Sequence, residues 1–298
     1  MKKIKINFCD FWNGFKKTDN FFYHRLCQYY EIEICDDPDI IIFSLFGKEN
    51  QKYGCKKIQY IGENIRPSFF CSDYSISFDH LKSHRNIRYP IYNLYYTIEE
   101  IPNFQDCRKK FCCVVTSNPN GNFRQFFFDK LSKIKKVDSG GRYRNNIGSP
   151  VTNKLEFLEQ YRFSFAFENS CYPGYTTEKI LESKKAGTIP IYWGNPRVSE
   201  DFNVKSFINV HDFKNIDECI ECILEIENDD DRYRAIRNEP LYLGNRITKY
   251  SDVEYFDRWI ISAIEGRKYF KNRYLSFLQK KINSINTKLY DLVPSSRK

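Results

Sequence analysis

An α/β protein built from two Rossmann-like domains facing a central cleft is what this chain predicts, and three observations carry the prediction. Apolar, strand-like runs alternate with helical segments in both halves, the pattern of parallel sheets with helices packed on both faces. Around residues 97–110 (TIEEIPNFQDCRKK) the pattern loosens into a polar, proline-containing connection. And the stretch FENSCYPGYTTEKI, residues 167–180, crowds Glu168, Asn169, Tyr175, Glu178 and Lys179 against the end of a buried strand. In such sheets ligands bind outside the carboxyl ends of the strands.

The first half begins with a strand at Ile4–Phe8, then a helix at Phe21–Tyr30. Strands follow at Glu31–Ile34, Ile40–Phe46 and Lys57–Ile61, the last ending at Gly62-Glu63-Asn64. The second half repeats the alternation more clearly. Phe111–Thr116 is a strand, Asn122–Lys133 a helix, and Lys136–Asp138 a strand leading into Gly140-Gly141. Asn153–Tyr161 is a helix, Phe163–Phe167 a strand, and Thr177–Ala186 a helix closed by Gly187. Ile189–Trp193, Phe207–Val210 and the helix Ile216–Ile226 complete the pattern. The expected divisions are 1–106, 107–265 and a basic tail, 266–298.

Bulk properties exclude several classes. A length of 298 residues suits two domains, and 41% hydrophobic residues with 17% aromatic rule out a disordered chain. The longest apolar run, near Ile40–Phe46, falls short of the ~20 residues that span a bilayer. Asn7, Asp10 and Asn13 break any signal-peptide core, so a cytoplasmic protein is expected. Eleven cysteines, an odd number set in strand-like and helix-like runs, read as reduced thiols, mostly buried. Cys219 and Cys222 form one CxxC with no second pair, and no histidine spacing suggests zinc. The acidic strings Asp37-Pro38-Asp39 and Asp229-Asp230-Asp231 read as solvated turns, so no metal site is expected.

The net charge of +9 is concentrated: residues 266–298 hold nine Lys/Arg against the single acid Asp291, which leaves +1 for the body. A basic nucleic-acid-binding protein would distribute that charge differently and would carry a recognition motif that is missing here. In the tail, Leu275, Leu278, Ile282, Ile285, Leu289 and Leu292 repeat at 3-4-3-4-3 spacing. That stripe predicts a basic amphipathic helix on an anionic membrane surface, with a homodimer as runner-up, and its earlier part packing back on the first domain.

The stretch at 167–180 holds the chemistry. A Pro173-Gly174 turn leads to Thr176 or Thr177 as helix cap, which puts Glu178 and Lys179 in the first turn. A lysine at that end opposes the helix dipole, unless an anion completes the site with free backbone N–H groups. Neither GxGxxG nor GxxxxGK[ST] occurs, which disfavours a dehydrogenase or a P-loop NTPase and leaves a sugar-nucleotide enzyme.

FAFENSCYPGYTTEKILESKKAGTIPIYWGNP, residues 165–196, closely resembles the donor-binding signature of the alpha-1,3/4-fucosyltransferases (glycosyltransferase family 10), above all their bacterial members. Four further blocks match in order: YIGENIRP at 60–67, VVTSNPNGNFR at 114–124, DSGGRYRNNIG at 138–148 and DFNVKSFINVHDF at 201–213. The resemblance is dense from Phe111 to Phe213 and thin between Pro67 and Lys110.

The resemblance implies a GT-B fold, GDP-fucose as donor, and inverting transfer to a GlcNAc hydroxyl, alpha-1,3 or alpha-1,4, in N-acetyllactosamine-type glycans. Matched by motif, Arg124 and Lys179 would pair with the diphosphate. Tyr175 and Glu178 would hold the ribose and phosphate side, and Asn169 would face the bound sugar nucleotide. Val115, Ser117 and Asn118 would line the guanosine pocket, and Glu63 would be the catalytic base. No cofactor is required in this scheme, and help from a divalent ion in product release is left open. The missing membrane anchor of animal members favours a bacterial-type enzyme at the inner face of the membrane, acting on lipid-linked or lipopolysaccharide glycans. Another inverting GT-B transferase with a different GDP-sugar is the alternative.

Overall fold

The computed structural model describes residues 1–95, 110–245 and 247–269. They divide into two compact units: Met1–Leu94 with the chain from Lys249 onward, and Tyr95–Thr248. Each unit is a parallel sheet of the Rossmann-like type expected for a GT-B protein.

The first unit contains β1 (Lys2–Cys9), α1 (Phe21–Leu26), β2 (Tyr30–Ile34), β3 (Ile40–Phe43), β4 (Lys56–Tyr60), β5 (Tyr74–Ser77), β6 (Asn86–Arg88) and α2 (Tyr92–Tyr95). Its strand order is β2-β1-β3-β4-β5-β6. Strand β3 is four apolar residues in a row because both of its faces are covered. Ile40 and Ile42 enter the main core, and Ile41 and Phe43 a smaller one with Cys9, Tyr53 and Cys55.

Two strands of this sheet, β5 and β6, go beyond those expected from the apolar pattern. Their buried Ser75, Ser77 and Asn86 are polar, so no apolar run announces them. Both serine hydroxyls donate to Asn86 Oδ1 at 2.8 Å, which is what makes their burial tolerable. The helix expected over Phe21–Tyr30 stops at Leu26, and Tyr30 already pairs with Lys2 in the sheet.

The second unit contains β7 (Lys110–Val114), α3 (Asn122–Ile134), β8 (Val137–Ser139), α4 (Lys154–Leu158), β9 (Tyr161–Phe167), α5 (Lys179–Lys185), β10 (Ile189–Trp193), β11 (Ile208–Asn209), α6 (Ile216–Glu227) and α7 (Asp230–Asn238). Its strand order is β11-β10-β9-β7-β8. One core joins Phe163, Phe165, Val114 and Ile191 to Phe127 and Leu131 of α3 and Ile220 and Ile223 of α6. A second cluster, Cys113, Tyr161 and Ala186 with Phe157 and Leu158 of α4, covers other positions of the same strands.

The expected boundary at 265 is corrected by α8 (Val253–Glu265), which belongs to the first unit. Phe256, Ile260, Ala263 and Ile264 recur at helical spacing and enter the core of the first sheet. Buried Asp257 fixes the docking: its carboxylate takes a bidentate pair from Arg25 of α1 and the Tyr29 hydroxyl at 2.9 Å. Removing one partner of such a buried pair costs about 3–5 kcal/mol. Lys56 Nζ donates to the carbonyls of Ile264 and Gly266, closing the carboxyl end of α8.

Beyond α8, Tyr269 continues onto the same unit. Its backbone N–H donates to Asp73 Oδ1 at 2.6 Å, and its ring lies under the Arg85 guanidinium. The amphipathic stripe Leu275–Leu292 lies outside the described residues. Among the described residues no helix is long and apolar enough to cross a membrane. Ten cysteines are free there, four buried and six half-buried, so fewer than expected are fully enclosed. Asp229–Asp231 is not a loop: the Asp229 carboxylate accepts from the N–H groups of Asp231 and Arg232 and starts α7.

Candidate active site

In the second sheet, β7 is followed by β8 on one side and β9 on the other. The carboxyl ends of β7 and β9 therefore flank the topological switch point, where such sheets open a crevice. Three segments converge there: the loop after β7, the first turn of α3, and the stretch after β9.

Arg124 stands in the first turn of α3 and is buried. Its Nη1 donates to Asn169 Oδ1 at 3.2 Å, and its Nη2 to the carbonyls of Asn118 and Asn120, both at 2.8 Å. Burial depresses the guanidinium's affinity for its proton, and the nearby Glu168 and Tyr143 oppose that shift. Three expected residues, Arg124, Asn169 and Asn118, are thus one hydrogen-bonded group. Val115 is half-buried just beyond β7, and Ser117 is exposed.

Lys179 is organised by Glu168, a residue inside the signature stretch to which the motif match attaches no role. Glu168, at the end of β9, is wholly buried. Its carboxylate accepts from Thr177 N at 2.7 Å, Thr177 Oγ1 at 2.8 Å and Lys179 Nζ at 3.0 Å. Lys179 Nζ also donates to Thr177 Oγ1 at 2.6 Å. Burial disfavours the Lys179 ammonium, yet Glu168 and Glu178 outweigh it and hold its pKa above the usual value. Neither threonine caps α5, correcting the expected helix start. The helix begins at Lys179, after Glu178 in an N-cap position without a side-chain bond.

The loop 170–178 is fixed from its far side by Asn195, in the turn after β10. Asn195 Oδ1 accepts from Gly174 N at 2.6 Å and Arg197 N at 2.8 Å, while Nδ2 donates to Thr176 Oγ1 at 3.1 Å. Tyr192 adds its hydroxyl between Thr176 and the Asn195 N–H. Tyr175 is buried inside this clamp, and Glu178 is half-buried beside Lys179. Gly194 is required here: its φ is +156°, and a Cβ would overlap the Glu168 side chain. Gly141 has a similar reason, since its backbone abuts the Thr116 carbonyl at the end of β7. Trp193 is explained by packing, stacked between Phe123 and His211.

Glu63 lies in the first unit, exposed in the loop after β4. Its neighbour Asn64 is buried and accepts from Arg66 Nη2 at 2.6 Å. Arg66 in turn pairs with Asp79 at 3.0 Å and stacks over Phe78. The loop bearing Glu63 is therefore anchored while the carboxylate itself faces solvent.

The geometry of the second unit suits an anionic ligand: two cations and a set of backbone-holding side chains at one switch point. No group of three or more His, Cys, Asp or Glu that could hold a metal ion gathers among the described residues.

The comparisons with known proteins agree on one family. Residues 6–95 match the alpha-(1,3)-fucosyltransferase FucT N-terminal domain, and residues 105–237 the glycosyltransferase family 10 (fucosyltransferase) C-terminal domain. An alpha-(1,3)-fucosyltransferase of Helicobacter pylori is 35% identical over 90% of this chain, which spans 62% of that relative's length. Alpha-(1,3)-fucosyltransferase B of Drosophila melanogaster is 36% identical over 42% of the chain, spanning 31% of that relative. A crystal structure of an alpha1,3-fucosyltransferase with GDP-fucose superimposes with a TM-score of 0.80 at 30% identity, covering 91% of this chain and 93% of that one. With both sheets, the ordered motif blocks and these matches in agreement, the chain belongs to glycosyltransferase family 10, the fucosyltransferases.

Proposed function

We propose that this chain transfers L-fucose from GDP-fucose, with inversion, to a GlcNAc hydroxyl of an N-acetyllactosamine-type glycan. The observation that carries the reading is the meeting of Arg124, Asn169 and the Glu168–Lys179 pair at the switch point of the second sheet. In the reaction the acceptor oxygen bonds to the fucose anomeric carbon while the bond to the β-phosphate oxygen breaks. Negative charge collects on the departing GDP, and fixed cations stabilise it, typically the main contribution to such catalysis. Arg124 grips phosphate oxygens with a planar fork and Lys179 acts as a point charge. Val115, Ser117 and Asn118 line the guanosine side, Tyr175 and Glu178 the ribose and phosphate side, and Asn169 faces the sugar nucleotide.

Glu63 takes the proton from the acceptor hydroxyl. Its exposed position at a strand end leaves it available to an incoming sugar. The scheme places no metal; comparing turnover in EDTA with turnover in Mn²⁺ measures any stimulation. The C-terminal stripe binds the inner, anionic membrane surface, which suits acceptors of the lipid-linked or lipopolysaccharide kind. Incubating the protein with GDP-fucose and a panel of type 1 and type 2 acceptors tests the reading and assigns the linkage. GDP-mannose serves as the control donor. Transfer from GDP-mannose with none from GDP-fucose would replace the proposed donor.

A further inference from the structure

We propose that Glu168 is a positioning residue for the diphosphate site, its buried carboxylate aiming the Lys179 ammonium and stapling Thr177 to the end of β9. The inference rests on the donor reading above, in which Lys179 meets the diphosphate.

Each neighbour of Glu168 makes a different demand on it. A buried Thr177 N–H needs an acceptor, and a neutral amide oxygen would serve as well as a carboxylate. A negative charge in a wholly buried position is disfavoured unless it is paired. Thr177 therefore does not explain the charge; Lys179 does, at 3.0 Å. The three groups close a ring: Lys179 Nζ donates to both Thr177 Oγ1 and Glu168 Oε2, and Thr177 Oγ1 donates to Glu168. That ring fixes the ammonium in direction as well as in charge. Gly194, with no side chain, lets the chain just after β10 pass directly against Glu168, where a Cβ would overlap its side chain.

Charged and titratable groups from several elements act on this ring. Glu178 favours the Lys179 ammonium and disfavours a charged Glu168, and Glu182 of α5 also favours the ammonium. Arg124 comes from α3 and shares the attraction of Glu168. Tyr192 comes from β10, where burial first and Glu168 second keep its phenol protonated. With Glu168 neutralised, burial still acts against the Lys179 ammonium and its closest counterion is gone.

The test is GDP affinity, measured calorimetrically from about pH 7 to about pH 8.5, a range that reaches a depressed lysine while the guanine base stays neutral. Three proteins are compared: the unaltered chain, Glu168→Gln, and Glu168→Gln with Lys179→Arg. The unaltered chain should keep a nearly constant affinity. Glu168→Gln should weaken progressively, approaching about tenfold per pH unit once the lysine loses its proton. The double variant should be flat again, because a guanidinium does not titrate in this range. A Glu168→Gln profile that parallels the unaltered one at every pH, merely offset, would reduce Glu168 to a structural acceptor and overturn the inference. If that variant does not fold, ¹⁵N chemical shifts of lysine Nζ in the unaltered chain decide. Lys179 should titrate above an ordinary lysine, held there by Glu168 and Glu178 against its burial, and titration below an ordinary lysine would overturn the inference. Unchanged GDP binding by Lys179→Ala would instead remove the diphosphate reading on which it rests.

Discussion

The carboxyl edges of the two sheets are built in opposite ways. In the second unit the edge is a closed polar network: Glu168, Thr177, Asn195 and Tyr192 are buried and bonded to one another or to the loop 170–178. In the first unit the functional candidate, Glu63, is exposed, while the residues behind it, Asn64 and Arg66, are fixed. On the function proposed above, the contrast separates two tasks. A phosphate-bearing ligand is the same in every turnover and rewards a preorganised set of charges. A proton acceptor needs a defined place but an open approach. Rigid polar burial goes with the first, and an anchored, solvent-facing loop with the second.

The largest effect is expected at Glu63. Glu63→Gln should keep GDP affinity and lower kcat by roughly 10²-fold or more. Calorimetry and steady-state transfer on the same preparation separate the two effects. Near-normal turnover would move the base to another acid of the first unit, and lost GDP binding would mean that Glu63 touches the nucleotide.

Arg124→Ala and Lys179→Ala should do the reverse, weakening GDP binding by about 1.5–3 kcal/mol each. If both variants bind GDP as the unaltered chain does, the switch point of the second sheet is not the diphosphate site.

A pH-dependent effect probes how far the second unit tolerates buried charge. Lys184 is buried and donates to the carbonyls of Ser206, Ile236 and Arg237. Burial, with Arg237 adding to it, brings its pKa down to about 7. Unfolded, the same lysine titrates near ~10.4, so between those values the unfolded chain holds more protons. Stability contributed by this group should therefore rise with pH from about 7 towards about 10, by up to ~1.4 kcal/mol per unit, and be flat below. Urea unfolding of the unaltered chain and Lys184→Met across that range checks it; equal slopes would show that the folded lysine stays charged.

The smallest expected effect concerns neither sheet edge. Deleting residues 276–298 should leave GDP affinity unchanged and reduce sedimentation with anionic vesicles. Vesicle binding that survives the deletion would place the membrane contact elsewhere.

Much of this was legible in the chain. The apolar runs IIIF and FSFAF announce strands buried on both faces, and Asn122–Ile134 and Ile216–Glu227 carry helical periodicity. The motif blocks singled out Arg124, Asn169 and Lys179, and the fold places them along one carboxyl edge. Strands β5 and β6 were not legible, because their burial is secured by Ser75 and Ser77 bonding Asn86 rather than by apolar side chains. Nor was the allegiance of α8: its amphipathic spacing shows that it packs, but not on which sheet.

What the sequence alone determined, then, is local and periodic: the α/β alternation, the family signature, and the residue types gathered after β9. What only the tertiary structure decided is pairing across distance. Asp257 is an ordinary acid in a helical stretch until α8 returns to Arg25 and Tyr29. Glu168 is one carboxylate among several until β9, β10 and α5 bury it against Lys179 and Thr177. The physical reason is the same in both cases. Periodicity records which face of an element avoids water, whereas the partner of a buried charge is set by which elements the fold brings into contact.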